Sequence, residues 1–369
     1  MHDGLVSLRP YTGPRLVDSV DGAEALTASD IMNLEGLGRH VLVIGGAGYV
    51  GCVLTEALLS RGYRVRVLDN FLYGHFHVAE SLIARPRTSL LVGDLRDPYA
   101  LNQALEGITD VVLLASLVGD PISRKYPELA REVNLDGGKA ILQALSGRGV
   151  RRLVFTSTCS NYGLWEGTEP ATETAPLNPL SVYAETKVAF EQALLEQRLG
   201  FDFHPVILRL ATVFGLSPRM RFDLTVNEFS RAIAAGVKLD VYDKDTWRPY
   251  CHVRDICQAI LAVLHAPDRK VSGEVFNVGS DANNLTKEQI VNEVLRHVAG
   301  DVRFVDGGGD RRNYRVSFAK IRDTLGFRPR YGLPAVVPQL VHAVRCGLYG
   351  EDAGTPDRYG NYAVRPGIA

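Results

Sequence analysis

Cysteine is scarce in this sequence: Cys52, Cys159, Cys251, Cys257 and Cys346 are scattered over 369 positions with no CxxC pair. That usage argues against a disulfide framework and against a zinc site, and no other metal site is suggested. A reducing cytoplasm is the compartment it fits. No long basic run is present and the formal net charge is -1, so the phosphate-neutralising surface that nucleic-acid binding needs is not visible. An anionic ligand must then be met by a few placed arginines. No stretch offers 18 unbroken apolar residues, and MHDGLVSLRPYTGPRL places acidic, glycine and proline residues where a secretory signal would be apolar. Neither a membrane span nor export is expected.

What is present is ordinary globular composition, with 46% hydrophobic and 22% charged residues. The length suits two domains, or one large domain with a lobe. Residues 1–38 read as an N-terminal extension, a mobile arm or an oligomer contact, in which Ala23 to Leu37 could form one short helix. From His40 short apolar runs alternate with helix-length amphipathic stretches. The runs are Val41–Ile44, Val65–Leu68, Leu90–Val92, Val111–Leu114, Leu153–Phe155 and Val206–Leu208. Most lack apolar/polar alternation, as strands covered on both faces do, so the fold class predicted is α/β with a doubly wound parallel (Rossmann) sheet. The nucleotide-binding domain is expected over 39–215, with 241–280 returning to it. A smaller C-terminal substrate-binding lobe is expected over 216–240 and 281–345, and 346–369 reads as a tail. Thr286 and Gln289 have the spacing of a capping box that opens a helix in that lobe.

Directly after the first regular strand comes Gly45-Gly46-Ala47-Gly48-Tyr49-Val50-Gly51, with glycines at i, i+3 and i+6 leading into a helix. Absent side chains permit the tight turn, let a pyrophosphate approach the helix N-terminus, and let helix pack on strand. Gly45, Gly48, Tyr49, Val50 and Gly51 are therefore candidate dinucleotide contacts. Asp69 ends the second strand eighteen residues after Gly51, where an acid accepts the hydroxyls of the adenosine ribose and would repel a 2'-phosphate. NAD is favoured over NADP. Asn70 beside it, Asp94 and Leu95 after the third strand, and Leu114, Ala115 and Ser116 after the fourth complete the cofactor candidates.

The fifth strand ends in Phe155-Thr156-Ser157-Thr158-Cys159-Ser160-Asn161-Tyr162-Gly163, and Tyr183 and Lys187 follow at i and i+4 on one helix face. A neighbouring ammonium lowers a phenol from its normal pKa of about 10 toward a useful general base. With the glycine loop and the strand-five hydroxyl, this pair resembles the extended short-chain dehydrogenase/reductase family, and more narrowly the NAD-dependent epimerase/dehydratase group acting on nucleotide sugars. The resemblance covers about His40 to Tyr331. It implies Tyr183 as general base, Lys187 holding the nicotinamide ribose, and Thr158 hydrogen-bonding the reacting sugar oxygen. It also implies Arg248 and Arg312 as contacts to the phosphates of a nucleotide-diphosphate sugar, Thr212 as a substrate contact on the sixth strand where relatives often carry Asn, and a homodimer built from the helices around 127–146 and 181–199.

Within that group, a 4,6-dehydratase carries an acidic pair directly after the strand-five Thr. Here those positions are Cys159 and Ser160, so elimination lacks its acid and base. Epimerisation through a transient ketone asks least of the residues present. A nucleotide-sugar ketoreductase or dehydrogenase is the alternative, and an NAD-sensing regulatory protein is the alternative from another class. The loop Leu117–Pro121 is distinctive as well: Asp120 there could face the sugar or cap a turn.

Overall fold

The computed structural model describes residues 15–18, 36–198, 200–310, 312–349 and 359–365. Eight strands form its central sheet: β1 (Arg15–Asp18), β2 (His40–Ile44), β3 (Arg64–Asp69), β4 (Thr88–Val92), β5 (Asp110–Leu113), β6 (Arg152–Thr158), β7 (His204–Leu210) and β11 (Val275–Val278). Their order across the sheet is β1-β4-β3-β2-β5-β6-β7-β11. Seven of them run parallel, and β1 is antiparallel to β4 at the edge. Each predicted apolar run falls on one of these strands, with Leu114 one residue beyond the end of β5. The reason is burial on both faces: Val41, Val43, Val65 and Val67 pack into one apolar cluster, whereas Leu42, Ile44, Leu68 and Val111 pack into the other. The doubly wound α/β fold expected from the sequence is the fold observed.

Three features depart from expectation. Part of the N-terminal extension, Arg15–Asp18, adds a strand to the sheet, and the helix expected from Ala23 falls almost wholly outside the described residues. Of the stretch 241–280, β11 alone joins the main sheet. β10 (Trp247–His252) instead pairs in parallel with β8 (Thr212–Phe214) and antiparallel with β12 (Asn284–Thr286). Beyond residue 281, where no regular strand partner was expected, β13 (Val302–Val305) pairs with β9 (Leu239–Tyr242). These strands are three to six residues long, too brief to leave a periodic signature. A third apolar cluster, with Phe214, Val226, Ile233, Ile290 and Leu340 at its centre, packs the helices Thr225–Ala234, Lys287–Leu295 and Leu333–Arg345. The capping box closes the second of these, with Thr286 accepting from the Gln289 amide and Gln289 from the Thr286 amide.

Between the helices Pro127–Arg131 and Gly137–Leu145 the chain makes one π-helical turn, Glu132–Asp136. Such turns insert an extra residue and re-aim a side chain. Asn134 is the one re-aimed: buried, its Oδ1 accepts from Ser116 Oγ (2.8 Å) and the Leu117 amide (2.7 Å), while its Nδ2 donates to Thr186 Oγ1 (3.0 Å). It ties the loop after β5 to the helix Val182–Gln197.

Candidate active site

The carboxyl ends of the parallel strands open onto one crevice of about 510 Å³, where ligands bind in sheets of this kind. The glycine loop forms one end. Gly45 has φ +83°, and a Cβ there would stand 2.6 Å from the Ala115 amide nitrogen; a Cβ on Gly51 would stand 2.5 Å from the Gly46 backbone. The helix Tyr49–Leu59 begins at Gly48 with no side-chain cap and no acid in its first turn, so its free amides and positive dipole end face the crevice. These constraints leave a side-chain-free cradle at an uncapped helix N-terminus, the kind of site that can hold a phosphate group.

Asp69 is buried at the end of β3 and lines the crevice. Its carboxylate accepts from the amides of Ala47 (3.0 Å) and Phe71 (2.8 Å), which fixes both adjoining loops. Asn70 donates to Asp94 (2.9 Å). Burial alone would raise the Asp94 carboxyl, but the Arg96 guanidinium and Asn70 hold it below the usual carboxylate range. Leu95, Leu114, Ala115 and Ser116 line the same wall, as do Gly45, Gly48, Tyr49, Val50 and Gly51.

Thr158, Tyr183, Lys187 and Thr212 also line the crevice. Ser181 caps the helix Val182–Gln197 by accepting from the Ala184 amide, and Tyr183 and Lys187 follow on one face. Both are buried, at 9% and 2% exposure. Lys187 Nζ lies 5.9 Å from the Tyr183 ring centroid but donates to the Thr156 carbonyl (2.8 Å). The expected lowering of the phenol by this ammonium is not what the arrangement gives. Burial pushes the Tyr183 hydroxyl up, opposed first by the Arg221 charge and helped by Asp120, with the nearby Thr158 hydroxyl also acting against the rise. Burial also pulls Lys187 down to about 7, with Glu191 acting against it.

That shift predicts a pH dependence. The folded chain releases the Lys187 proton near pH 7 and the unfolded chain near 10.5. Between them the unfolded state carries the extra proton, so this group makes stability rise with pH, by about 1.4 kcal/mol per unit. Urea unfolding of wild type and Lys187→Met at pH 7, 8 and 9 is expected to show the wild type gaining relative to the variant; parallel curves would contradict it.

Arg248 and Arg312 meet at the crevice, linked by Asp310, which pairs with Arg248 Nη2 at 3.0 Å and Arg312 Nη2 at 2.8 Å. Arg312 Nη1 also pairs with Asp120 at 2.7 Å, and Asp120 accepts from Ser181 Oγ at 2.7 Å. Asp120 thus faces the crevice rather than only capping a turn. Cys159 does not: its buried thiol donates to the Arg209 carbonyl (3.3 Å), and burial raises its pKa. Ser160 lines the crevice and accepts from Tyr314 (3.4 Å). No carboxylate therefore occupies the two positions after Thr158.

Sequence reading missed four contributors. Arg219 and Arg221 sit in the loop after β8, within a stretch read as part of a helical lobe; Arg221 pairs with Asp223 at 2.5 Å. Asn361 and Tyr362 come from the C-terminal segment read as a tail. The two arginines one residue apart, outside any helical spacing, were the only signal.

Residues 41–279 match the model of the NAD dependent epimerase/dehydratase family. A UDP-glucose 4-epimerase of Lacticaseibacillus casei is 30% identical over 315 residues, covering 79% of this chain and 92% of that protein. The crystal structure of the Thermus thermophilus UDP-glucose 4-epimerase in complex with NAD superimposes with a TM-score of 0.73 at 30% identity, over 83% of this chain and 99% of that one. The dTDP-glucose 4,6-dehydratase of Streptomyces venezuelae, crystallised with NAD, gives 0.76 at 27% identity, over 85% and 99%.

Proposed function

The chain belongs to the NAD dependent epimerase/dehydratase family, and from that premise we propose that it epimerises a nucleotide-diphosphate sugar through a transient ketone. The observation that carries this reading is the wall where Thr158, Tyr183 and Lys187 meet, with Cys159 turned into the core and Ser160 in place of a carboxylate. NAD, when bound, supplies a reversible hydride acceptor. The residues supply the rest. Tyr183 takes the proton of the sugar hydroxyl and returns it. Thr158, within reach of that phenol, positions the same oxygen. Lys187 holds the nicotinamide ribose, and the Arg221 charge favours the phenolate. Arg248 and Arg312 take the sugar nucleotide's diphosphate, for which the guanidinium fork is suited. Thr212 adds a substrate contact. The glycine loop and Asp69 hold the dinucleotide, with Asn70, Asp94, Leu95, Leu114, Ala115 and Ser116 along it.

Incubation of the full chain with UDP-glucose and UDP-galactose separately, read by NMR and by NADH absorbance, tests the reaction. Interconversion without net NADH supports epimerisation. Persistent NADH identifies a dehydrogenase, and a 4-keto-6-deoxy product identifies a dehydratase. Asp69→Ala is expected to weaken NAD by about 100-fold and to erode its preference over NADP. An unchanged NAD/NADP ratio by titration would contradict the ribose contact. A homodimer formed by the helices Pro127–Arg131, Gly137–Leu145 and Val182–Gln197 is part of the same proposal, and light scattering of the purified chain decides it.

A further inference from the structure

Among the described residues, one arginine of the crevice lacks a counter-charge. Arg219 is 2% exposed, yet it forms no ion pair with any of them, and its Nε has no hydrogen-bond partner. Its Nη2 donates to the Asn361 side-chain oxygen (2.8 Å) and the Gly360 carbonyl (3.2 Å), and its guanidinium lies over the Tyr73 ring at 5.4 Å. The nearby Asp223 is already committed to Arg221. A buried, uncompensated guanidinium is costly, so the site calls for an anion. Burial, with Arg221 adding to it, pulls the Arg219 pKa down to about 10, as an unneutralised cation requires.

The position says which anion. Tyr49 donates to the Gly215 carbonyl (2.6 Å) and Ser217 to the Tyr49 carbonyl (2.7 Å). The Arg219 loop is thereby laced to the first turn of the helix that follows the glycine loop. The Cys52 thiol in that turn feels the Arg219 charge, and Arg219 in turn feels Asp69.

We propose that Arg219 is a diphosphate ligand for the bound dinucleotide, facing the glycine-loop amides across the crevice, and that Asn361 of the C-terminal segment is the residue that positions it. Two backbone hydrogen bonds anchor that segment on either side of Asn361, from the Phe222 amide to the Tyr359 carbonyl (2.6 Å) and from the Arg365 amide to the Leu72 carbonyl (3.0 Å). Between them Asn361 also donates to the Val118 carbonyl (3.2 Å). A segment outside the family-matched residues 41–279 thus completes the cofactor side of the site.

This rests on the family's use of NAD. The test titrates NAD, ADP, adenosine and UDP into the full-length wild type, Arg219→Met and Asn361→Ala by calorimetry. Arg219→Met is expected to weaken NAD and ADP by about 30-fold, the scale of a lost charge-assisted contact, while adenosine and UDP stay within about threefold. Asn361→Ala is expected to show the same selectivity at about fivefold. Equal loss for ADP and adenosine would mean a structural role only and would overturn the proposal. So would loss of UDP with NAD retained, which would assign Arg219 to the sugar nucleotide. If Arg219→Met does not fold, Asn361→Ala decides on the same ADP-to-adenosine comparison. Wild type that binds no NAD would sink the cofactor reading itself, and the proposal with it.

Discussion

Tyr183→Phe is expected to lower turnover by roughly 10³-fold and to leave NAD affinity within about threefold. The phenol ring packs in the crevice wall and the phenylalanine keeps that packing, so only the hydroxyl is lost. Steady-state rates with the sugar nucleotide, paired with NAD titration, separate the two quantities. Activity within a few-fold of wild type would remove Tyr183 from the chemistry. A parallel loss of NAD affinity would show instead that the substitution had disturbed the crevice.

The largest stability effect is expected one helical turn beyond Lys187. Glu191 and Arg209 form a buried pair at 2.7 Å, at 2% and 5% side-chain exposure. Around it Asn161 donates to Glu191 (2.8 Å), and Arg209 also bonds Tyr162 (3.1 Å) and the Glu173 carbonyl (3.0 Å). Arg209→Met leaves the Glu191 carboxylate buried without its cation and is expected to cost about 3–5 kcal/mol in urea unfolding. Adding Glu191→Leu to it is expected to recover part of that loss, because no charge is then stranded. A single variant within about 1 kcal/mol of wild type would mean that the carboxylate has found water or a proton.

Much of this architecture was readable in advance, for physical reasons that differ by element. The core strands announced themselves because burial on both faces requires unbroken apolar runs between turns, as in Val41–Ile44 and Val206–Leu208. The glycine loop was legible because a side chain at Gly45 or Gly51 would collide with backbone. Tyr183 and Lys187 were found by helical spacing. The partnership between Arg219 and Asn361 was not, because the two stand 142 positions apart and no local periodicity links a loop to a distant segment. The states of Tyr183 and Lys187 were also beyond reach. Spacing gives adjacency, but burial, which no pair of residues reveals by itself, sets the direction of both shifts.

The π-helical turn at Glu132–Asp136 carries a consequence for insertions and deletions. Because that turn holds one residue more than a regular coil, removing a single position would let the chain relax into continuous α-helix and rotate Asn134 by about 100°. The local segment would become more regular and the Tyr183 helix would lose its tether to the loop after β5. At this point in the chain, local order and catalytic geometry pull in opposite directions, so a shortened homologue is expected to hold the two elements together by some other contact.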